Sequence, residues 1–484
     1  MKRSTPSWFG GVLLGGALLG GCCVDPGNHD EGQQTVCVTT PPSTGSPLPA
    51  PTPVTSFVVR QGSRLFLDGQ PFRFAGANAY WLGLDEWQKI DYPTAFRQED
   101  ALFAAREMGF TVIRAHTLGI SAGKPLSFEP TRGEFHPEAL AAADHAIAVA
   151  QRLGLRFVVP LTDNWHWFHG GRFDFTGWRG KSGNAFFTDE TVRQDFKDYV
   201  SALLNHVNSE TGVRYGDDPT ILAWELGNEL IPDGGPSQLR AFTADLAKHL
   251  KTLTARQLVV DGWAGRRPDA GLLAIAEVDV HTTHLYRCEV DAAGVAEAAA
   301  ATVAADKVFW VGEYDWSQRR PEDLGRLLDS WRDNPDVAGS LLWNLWARDD
   351  QSGIVEHEDR FDFLVPGTDA GGEQRVDRLR RHAFAMQGRA APPSWAPPPA
   401  PRLWKDEQGQ LAWRGSSTAA SYSIETATAA EGRFTSLCTG CLRDWGGDSA
   451  ALGGVPAGSF VRIVPLACDG TRGEASNVVA AGSN

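Results

Sequence analysis

Short apolar, β-rich runs alternate with longer amphipathic stretches through the middle of the chain. Eight of these runs are predicted strands: Phe72–Asn78, Thr111–His116, Arg156–Thr162, Ile221–Glu229, Gln257–Gly262, Val278–Tyr286, Val308–Asp315 and Gly339–Trp346. Between them the apolar spacing changes to that of a helix. Val192, Phe196, Tyr199, Val200, Leu203 and Val207 lie on one helical face. Leu140, Ala143, Ile147 and Ala150 do the same before Gly154, as do Leu239, Phe242, Leu246 and Leu250. Eight strand–helix units in roughly 335 residues predict a (β/α)8 barrel. A doubly wound open sheet is the alternative, but the first strand lacks the GxGxxG turn of its nucleotide-binding form. A barrel builds its active face from the C-terminal ends of its strands. Polar residues collect at those ends here: Arg114, Asn164, Asn228 and Glu229, His284, Glu313 and Tyr314, Trp343 and Asn344.

The flanks differ in kind. Met1-Lys2-Arg3 precedes an apolar stretch from Trp8 to Leu19, and Leu19-Gly20-Gly21-Cys22 closes it. A basic start, a short apolar core and small residues before a cut make a secretory signal over residues 1–21. The apolar stretch is too short to span a bilayer. It resembles a bacterial lipoprotein signal, which implies lipidation of Cys22, with Cys23 as the neighbouring alternative. Such a lipid would be the chain's sole contact with a membrane; simple secretion is the rival expectation. Residues 22–55 are rich in Pro, Ser and Thr and are expected to be an extended linker. The barrel is expected over 56–390, a Pro-rich hinge over 391–400 and a separate tail over 401–484. Short alternating strands at Leu411–Trp413, Ser421–Glu425 and Phe460–Val464 make the tail a small β-sandwich, which resembles a fibronectin type III module.

Hydrophobic residues at 42% and charged residues at 21% are ordinary for a globular protein and exclude a wholly disordered chain. The net charge of −14, with no run of Lys or Arg, argues against a nucleic-acid partner. The 17 Trp residues call for a large core or for a surface that stacks on flat ligands such as sugars. Of the seven cysteines, Cys438 and Cys441 form a CxxC with no second CxxC to complete a zinc site. A tail disulfide using Cys468 is expected instead, in an oxidising compartment.

Glu229 and Glu313 close the fourth and seventh apolar runs. Two carboxylates on nearby strand ends suit a retaining glycosidase, one protonating the leaving oxygen and the other attacking the anomeric carbon. Arg114 could keep one of them ionised, and Glu225 is expected to be a deeper structural carboxylate. Rival motifs fail on context. Gly119-Ile120-Ser121-Ala122-Gly123 matches a serine-hydrolase elbow, but Pro125 follows and no helix period does. Gly180-Lys181-Ser182 lacks the first glycine of a phosphate loop, since position 175 is Phe. His281 and His284 sit on a strand end without a further ligand set for zinc, so neither a metal nor a cofactor is expected.

With these residues in place, the chain resembles glycoside hydrolase family 5 over most of residues 56–390, and within it the endo-β-1,4-mannanases. The motifs are Asn164-Trp165 followed by Gly170-Gly171, Phe186-Phe187-Thr188-Asp189, Tyr215-Gly216-Asp217-Asp218-Pro219 and Trp224-Glu225-Leu226-Gly227-Asn228-Glu229. The resemblance implies Glu229 as acid/base and Glu313 as nucleophile. It implies that Arg114 supports the nucleophile, Asn228 binds the sugar 2-hydroxyl, His284 and Tyr286 orient the carboxylates and Trp343 forms the floor. Asn164 and Trp165 are expected to meet substrate. The departures from the family pattern lie after Glu229 (Leu230-Ile231-Pro232), after Gly262 and after Glu313 (Tyr314-Asp315). The expected activity is endo-cleavage of β-1,4-mannan by a monomer. The alternatives are an endo-β-1,4-glucanase or related β-glycosidase, and a non-catalytic glycan-binding lipoprotein. Between Asp163 and Thr188 eight aromatics cluster, half expected in a satellite core and half in a cleft wall, with Trp165 and Trp167 as the contacting ones.

Overall fold

The computed structural model describes residues 47–482 except 266, 287–291, 318–319, 352, 354–360, 368–369, 445–451 and 453. The expected signal, Cys22, Cys23, Cys37, Cys288 and the linker as far as residue 46 lie outside the described residues.

Three short antiparallel strands come first: β1 (Val58–Gln61), β2 (Arg64–Leu67) and β3 (Gln70–Pro71). Eight parallel strands then close into a barrel: β4 (Phe74–Asn78), β5 (Val112–Arg114), β6 (Arg156–Pro160), β7 (Ile221–Glu225), β8 (Leu258–Val260), β9 (Val280–Leu285), β10 (Val308–Asp315) and β11 (Val337–Trp343). All eight predicted runs are present, and β11 pairs with β4 to complete the ring. Val58 and Leu65 of the first sheet pack with Phe74, Val112, Val158, Val260 and Val308 of the barrel. The small sheet thereby plugs the end opposite the polar strand termini, where apolar side chains would otherwise meet water.

The helices are α1 (Ala95–Glu107), α2 (Ala141–Leu153), α3 (Arg172–Trp178), α4 (Ala185–Thr188), α5 (Glu190–Asn205), α6 (Pro236–Leu253), α7 (Ala270–Leu273), α8 (Ala292–Ala304), α9 (Pro321–Asp333) and α10 (Ala370–Met386). Their ends follow local chemistry. Asp189 caps α5 by accepting from the Thr191 and Val192 amides. Pro236 and Pro321 occupy the first helical position, where no amide hydrogen is needed. Gly154 ends α2 at φ 77°. The predicted stripe of α5 is buried from Val192 to Leu203, but Val207 lies beyond the helix and is exposed. The backbone turns extended at His206 (ψ 136°), so the stripe's last position has no helix to sit on. No helix among the described residues is long and apolar enough to cross a membrane.

The tail holds two antiparallel sheets. One pairs β12 (Arg402–Lys405) with β13 (Leu411–Arg414). The other has the order β15 (Thr435–Leu442), β14 (Ser421–Ala427), β16 (Phe460–Leu466), β17 (Val479–Ala480). Leu403, Trp413, Tyr422, Ile424, Val461 and Ile463 join both sheets in one core. The disulfide expected to use Cys468 instead joins Cys438 to Cys441 within β15.

Neither proline-rich segment hangs free where it is described. In the expected linker, Val54 is buried and its amide donates to Gln151 O at 2.9 Å. In the expected hinge, the Arg380 guanidinium lies 3.9 Å from the Trp395 ring centroid, and the Ala396 amide donates to Glu107 Oε2 at 3.0 Å. Both segments therefore lie docked on the barrel, because their few apolar side chains and backbone donors find partners there.

Candidate active site

Arg114, the last residue of β5, is fully buried and organises the barrel mouth. Its Nε and Nη2 donate to the two Glu225 oxygens at 2.6 and 2.9 Å. Nη1 donates to Glu313 Oε1 at 2.7 Å and to Asn78 Oδ1 at 3.0 Å, and Nη2 to Asn228 Oδ1 at 2.9 Å. A guanidinium offers five donors in a fixed fork, so these contacts set the positions of four residues from three other strand ends. Burial works against the charge, but Glu225 and Glu313 outweigh it and hold Arg114 more firmly protonated than usual.

The chain leaves the regular ladder after Glu225, and Glu229 sits at φ 52°. That left-handed geometry is strained for a glutamate and turns it away from the path of β7. Its Oε1 lies 2.9 Å from His284 Nδ1, and its Oε2 accepts from the Trp165 indole N–H at 2.8 Å. Glu313, on β10, accepts from Arg114 through Oε1 and from the Tyr286 hydroxyl through Oε2. His284 Nδ1 is also 3.4 Å from Glu313 Oε1. One oxygen of each glutamate and a ring nitrogen of His284 lie within 4.8 Å of one another. Six of the expected residues, Arg114, Asn228, Glu229, His284, Tyr286 and Glu313, thus share one hydrogen-bonded cluster with Trp165 at its edge.

The charges are coupled. Burial pushes the Glu313 carboxyl up from its ordinary value, partly offset by His284 and Arg114. Burial also opposes ionisation of Glu229, but the His284 contact and charge and the Trp165 N–H outweigh it and hold Glu229 at about 2. Burial lowers His284, yet Glu313 and Glu229 more than reverse this and raise it above its ordinary value. Both shifts favour an ionised Glu229 beside a protonated His284.

Trp343 ends β11 and stacks on Tyr80, with centroids 5.4 Å apart and planes at 7°. The His116 ring meets Trp343 edge-on at 5.5 Å. Burial, with Arg114 beside it, holds the His116 imidazole well below its ordinary value, so a neutral ring backs the indole. Asn164 is placed differently from the rest: its Oδ1 accepts from the Ile231 amide at 3.1 Å, and its side chain is buried. Its amide oxygen thereby ties the loop after β6 to the loop after β7. In the aromatic segment, Phe175, Phe186 and Phe187 are buried, whereas Trp165 and Trp167 are 42% and 53% exposed.

Glu229, His284 and Glu313 form a set of potential metal ligands, but the Arg114 charge 2.7 Å from Glu313 opposes a cation there. The rejected motifs have structural partners: Ser121 Oγ accepts from the Phe128 amide, Lys181 pairs with Asp189, and His281 Nδ1 lies 2.7 Å from Asp261. Sequence reasoning passed over Asn78, Tyr80, His116 and Asp163. Asn78 had a signal, since it ends the first predicted strand. His116 had the same signal at the end of the second predicted strand, whereas Tyr80 lies just past the first and Asp163 directly precedes Asn164.

Residues 55–289 match the family model described as GH family 5 beta-mannosidase-like. Among curated proteins, the chain is 35% identical over 204 residues to a putative mannan endo-1,4-beta-mannosidase of Oryza sativa subsp. japonica, covering 41% of this chain and 40% of that one. It is 34% identical over 224 residues to a mannan endo-1,4-beta-mannosidase of Arabidopsis thaliana, covering 44% and 50%. The chain spans about half the length of the curated relatives it matches. Among solved structures, an endo-1,4-beta-D-mannanase from Thermotoga petrophila RKU-1 aligns at 27% identity with a TM-score of 0.54, over 64% of this chain and 99% of that one. The endo-1,4-beta-mannanase from Rhizomucor miehei shares the fold at 23% identity and a TM-score of 0.59, over 69% of this chain and all of that one.

Proposed function

We propose that this chain, whose residues 55–289 match the family model described as GH family 5 beta-mannosidase-like, is a retaining endo-β-1,4-mannanase. The observation that carries the reading is the grip of Arg114, Tyr286 and His284 on two carboxylates whose nearest oxygens lie within 4.8 Å. Carboxyl groups about 5–5.5 Å apart serve double displacement, whereas inverting enzymes leave room for a water between them. Glu313 attacks the anomeric carbon, and Arg114 and Tyr286 donate to it so that its lone pair is aimed and its charge balanced. Glu229, nearer to solvent, passes the proton it shares with His284 to the leaving oxygen. It then takes a proton from the water that releases the sugar. Asn228 meets the 2-hydroxyl, and Trp343, flattened against Tyr80, supports the sugar face. The mannan preference is supported by the relatives, which are mannan endo-1,4-beta-mannosidases, and by the Asn164-to-Gly171 segment.

Two measurements test this reading. The first product of mannan hydrolysis, followed by proton NMR, is expected to be the β anomer; an early α product would overturn the mechanism. Among β-1,4-mannan, carboxymethyl cellulose and xylan, mannan should be cut fastest and from within the chain; faster cleavage of the glucan would replace the substrate alone.

The pH profile follows from the coupled charges. Glu313 must be ionised to attack, and burial raises its pKa, so kcat/KM should fall with acid at a pH above that of an ordinary glutamate. The shared proton is lost as pH rises through the raised pKa of His284, so the alkaline limb should lie above about 6.5. A profile flat from pH 5 to pH 9 would rule out this sharing.

We also propose that Cys22 carries a lipid that holds the protein at the bacterial cell envelope, the linker separating anchor from enzyme. Cys22→Ala should move the protein from the membrane fraction to the soluble one with unchanged specific activity. A wild type found wholly soluble outside the cell would leave simple secretion.

A further inference from the structure

Asp163 lies just past β6, is 1% exposed and belongs to no motif of the proposed chemistry. Its carboxylate collects three donors. The Trp165 amide donates to Oδ1 at 2.9 Å, and Asn228 Nδ2 to the same oxygen at 3.3 Å. His169 Nε2 stands 3.0 Å from Oδ2. The backbone is fastened too: Asp163 and Asn228 form a parallel bridge, and the Arg172 amide donates to Asp163 O at 3.0 Å. A Cβ on Gly171 would come within 2.7 Å of that same carbonyl oxygen, so only glycine lets the loop close so tightly.

The arrangement leaves the Asn228 amide a single orientation. Its Oδ1 faces Arg114 Nη2 at 2.9 Å, and its Nδ2 faces Asp163. A guanidinium only donates and a carboxylate only accepts. A flipped amide would set NH2 against the cation and C=O against the anion. Nδ2 carries two hydrogens, and Asp163 takes one of them. His169 is itself determined: facing a carboxylate, Nε2 bears the hydrogen, and the buried Nδ1 without a partner is then a lone pair, not a stranded N–H. The same Asp163 oxygen holds the amide of Trp165, whose indole donates to Glu229.

We propose that Asp163, seated by His169, is a positioning residue that locks the Asn228 amide so that its remaining N–H meets the sugar beside the cut bond. The inference rests on the functional reading above for the contact between Asn228 and substrate. The bond to the 2-hydroxyl strengthens in the transition state, so loss of the lock should appear in kcat more than in KM.

Asp163→Asn keeps the shape but offers both a donor and an acceptor, so both Asn228 orientations become accessible. With mannan or a mannooligosaccharide, kcat should fall about 10- to 100-fold, the worth of a charge-assisted hydrogen bond, with KM within about 3-fold. In an Asn228→Ala background the same replacement should cost less than about 3-fold, because its target is gone. His169→Gln, which keeps an N–H donor, should stay closer to wild type than His169→Phe. Equal losses in both backgrounds would show a merely structural effect and overturn the proposal. A substrate-free readout is the Asn228 side-chain amide in a 15N spectrum, identified by its absence in Asn228→Ala. It should shift or double in Asp163→Asn, and an unmoved resonance would overturn the lock. If the wild type cuts neither mannan nor glucan, the functional reading fails while this spectrum still decides the role of Asp163.

Discussion

Glu313→Ala is expected to lower kcat on mannan by about 10,000-fold or more, the scale on which loss of a catalytic nucleophile acts, while the barrel stays folded. Folding survives because Arg114 keeps both oxygens of Glu225 at 2.6 and 2.9 Å, so its buried charge is not orphaned. Glu229→Ala should be comparably inactive on mannan but should recover on an aryl glycoside whose leaving group needs no proton. Azide separates the two roles. In Glu313→Ala an azide ion entering the vacated space attacks from the nucleophile's side and gives an α-glycosyl azide. In Glu229→Ala the covalent intermediate forms first, and azide then attacks the opposite face to give the β product. Identical anomers from both variants would refute the division of labour between Glu229 and Glu313. Circular dichroism and melting curves matching the wild type exclude unfolding as the cause.

The second large effect is on stability, where the tail meets the barrel. Arg348, in the loop after β11, and Asp444, just past β15, are each 3% exposed at the side chain and pair at 2.6 Å. Asp100 of α1 accepts from the Arg348 amide at 3.1 Å, and Ser417 Oγ donates to Asp100 Oδ1 at 2.5 Å. The Tyr422 hydroxyl donates to Asp444 Oδ2 at 2.7 Å. Removing one partner of a buried ion pair leaves an uncompensated charge and costs about 3–5 kcal/mol. Asp444→Ala should lose up to that in urea unfolding, Asp100 staying 3.6 Å from Arg348, whereas the double change Arg348→Met with Asp444→Leu should cost much less. Equal losses would mean that packing, not charge, holds the tail. The tail should also melt together with the barrel. The buried Arg348, left without Asp444, makes loss of the barrel's stability the expected result of deleting 401–484.

These two regions mark where reading the chain succeeded and where it stopped. The barrel was legible because each strand is a local apolar run and each helix a local stripe, and because strand ends collect polar groups. Arg114, Glu229 and Glu313 followed from that placement alone, and the resemblance gave His284, Tyr286, Asn228 and Trp343 their expected roles. Asn164 illustrates the limit: its place after a strand was read correctly, but that its amide oxygen accepts from the Ile231 backbone depends on a loop 67 residues away. Asp163 was passed over for the same reason, since its partner Asn228 is 65 positions distant.

Period and composition determined the element types, the barrel order and the strand ends at which chemistry would sit, since these depend on neighbours within a turn or a strand. The tertiary structure decided everything that requires two distant groups to meet. It set which carboxylate Arg114 grips with one nitrogen and which with two, and which proton Glu229 and His284 share. It also decided that the proline-rich hinge is docked and that the tail is bolted to the barrel. Hydrogen bonds and ion pairs act over about 3 Å, and a linear pattern of apolar and polar positions carries no information at that range about residues 96 or 248 apart.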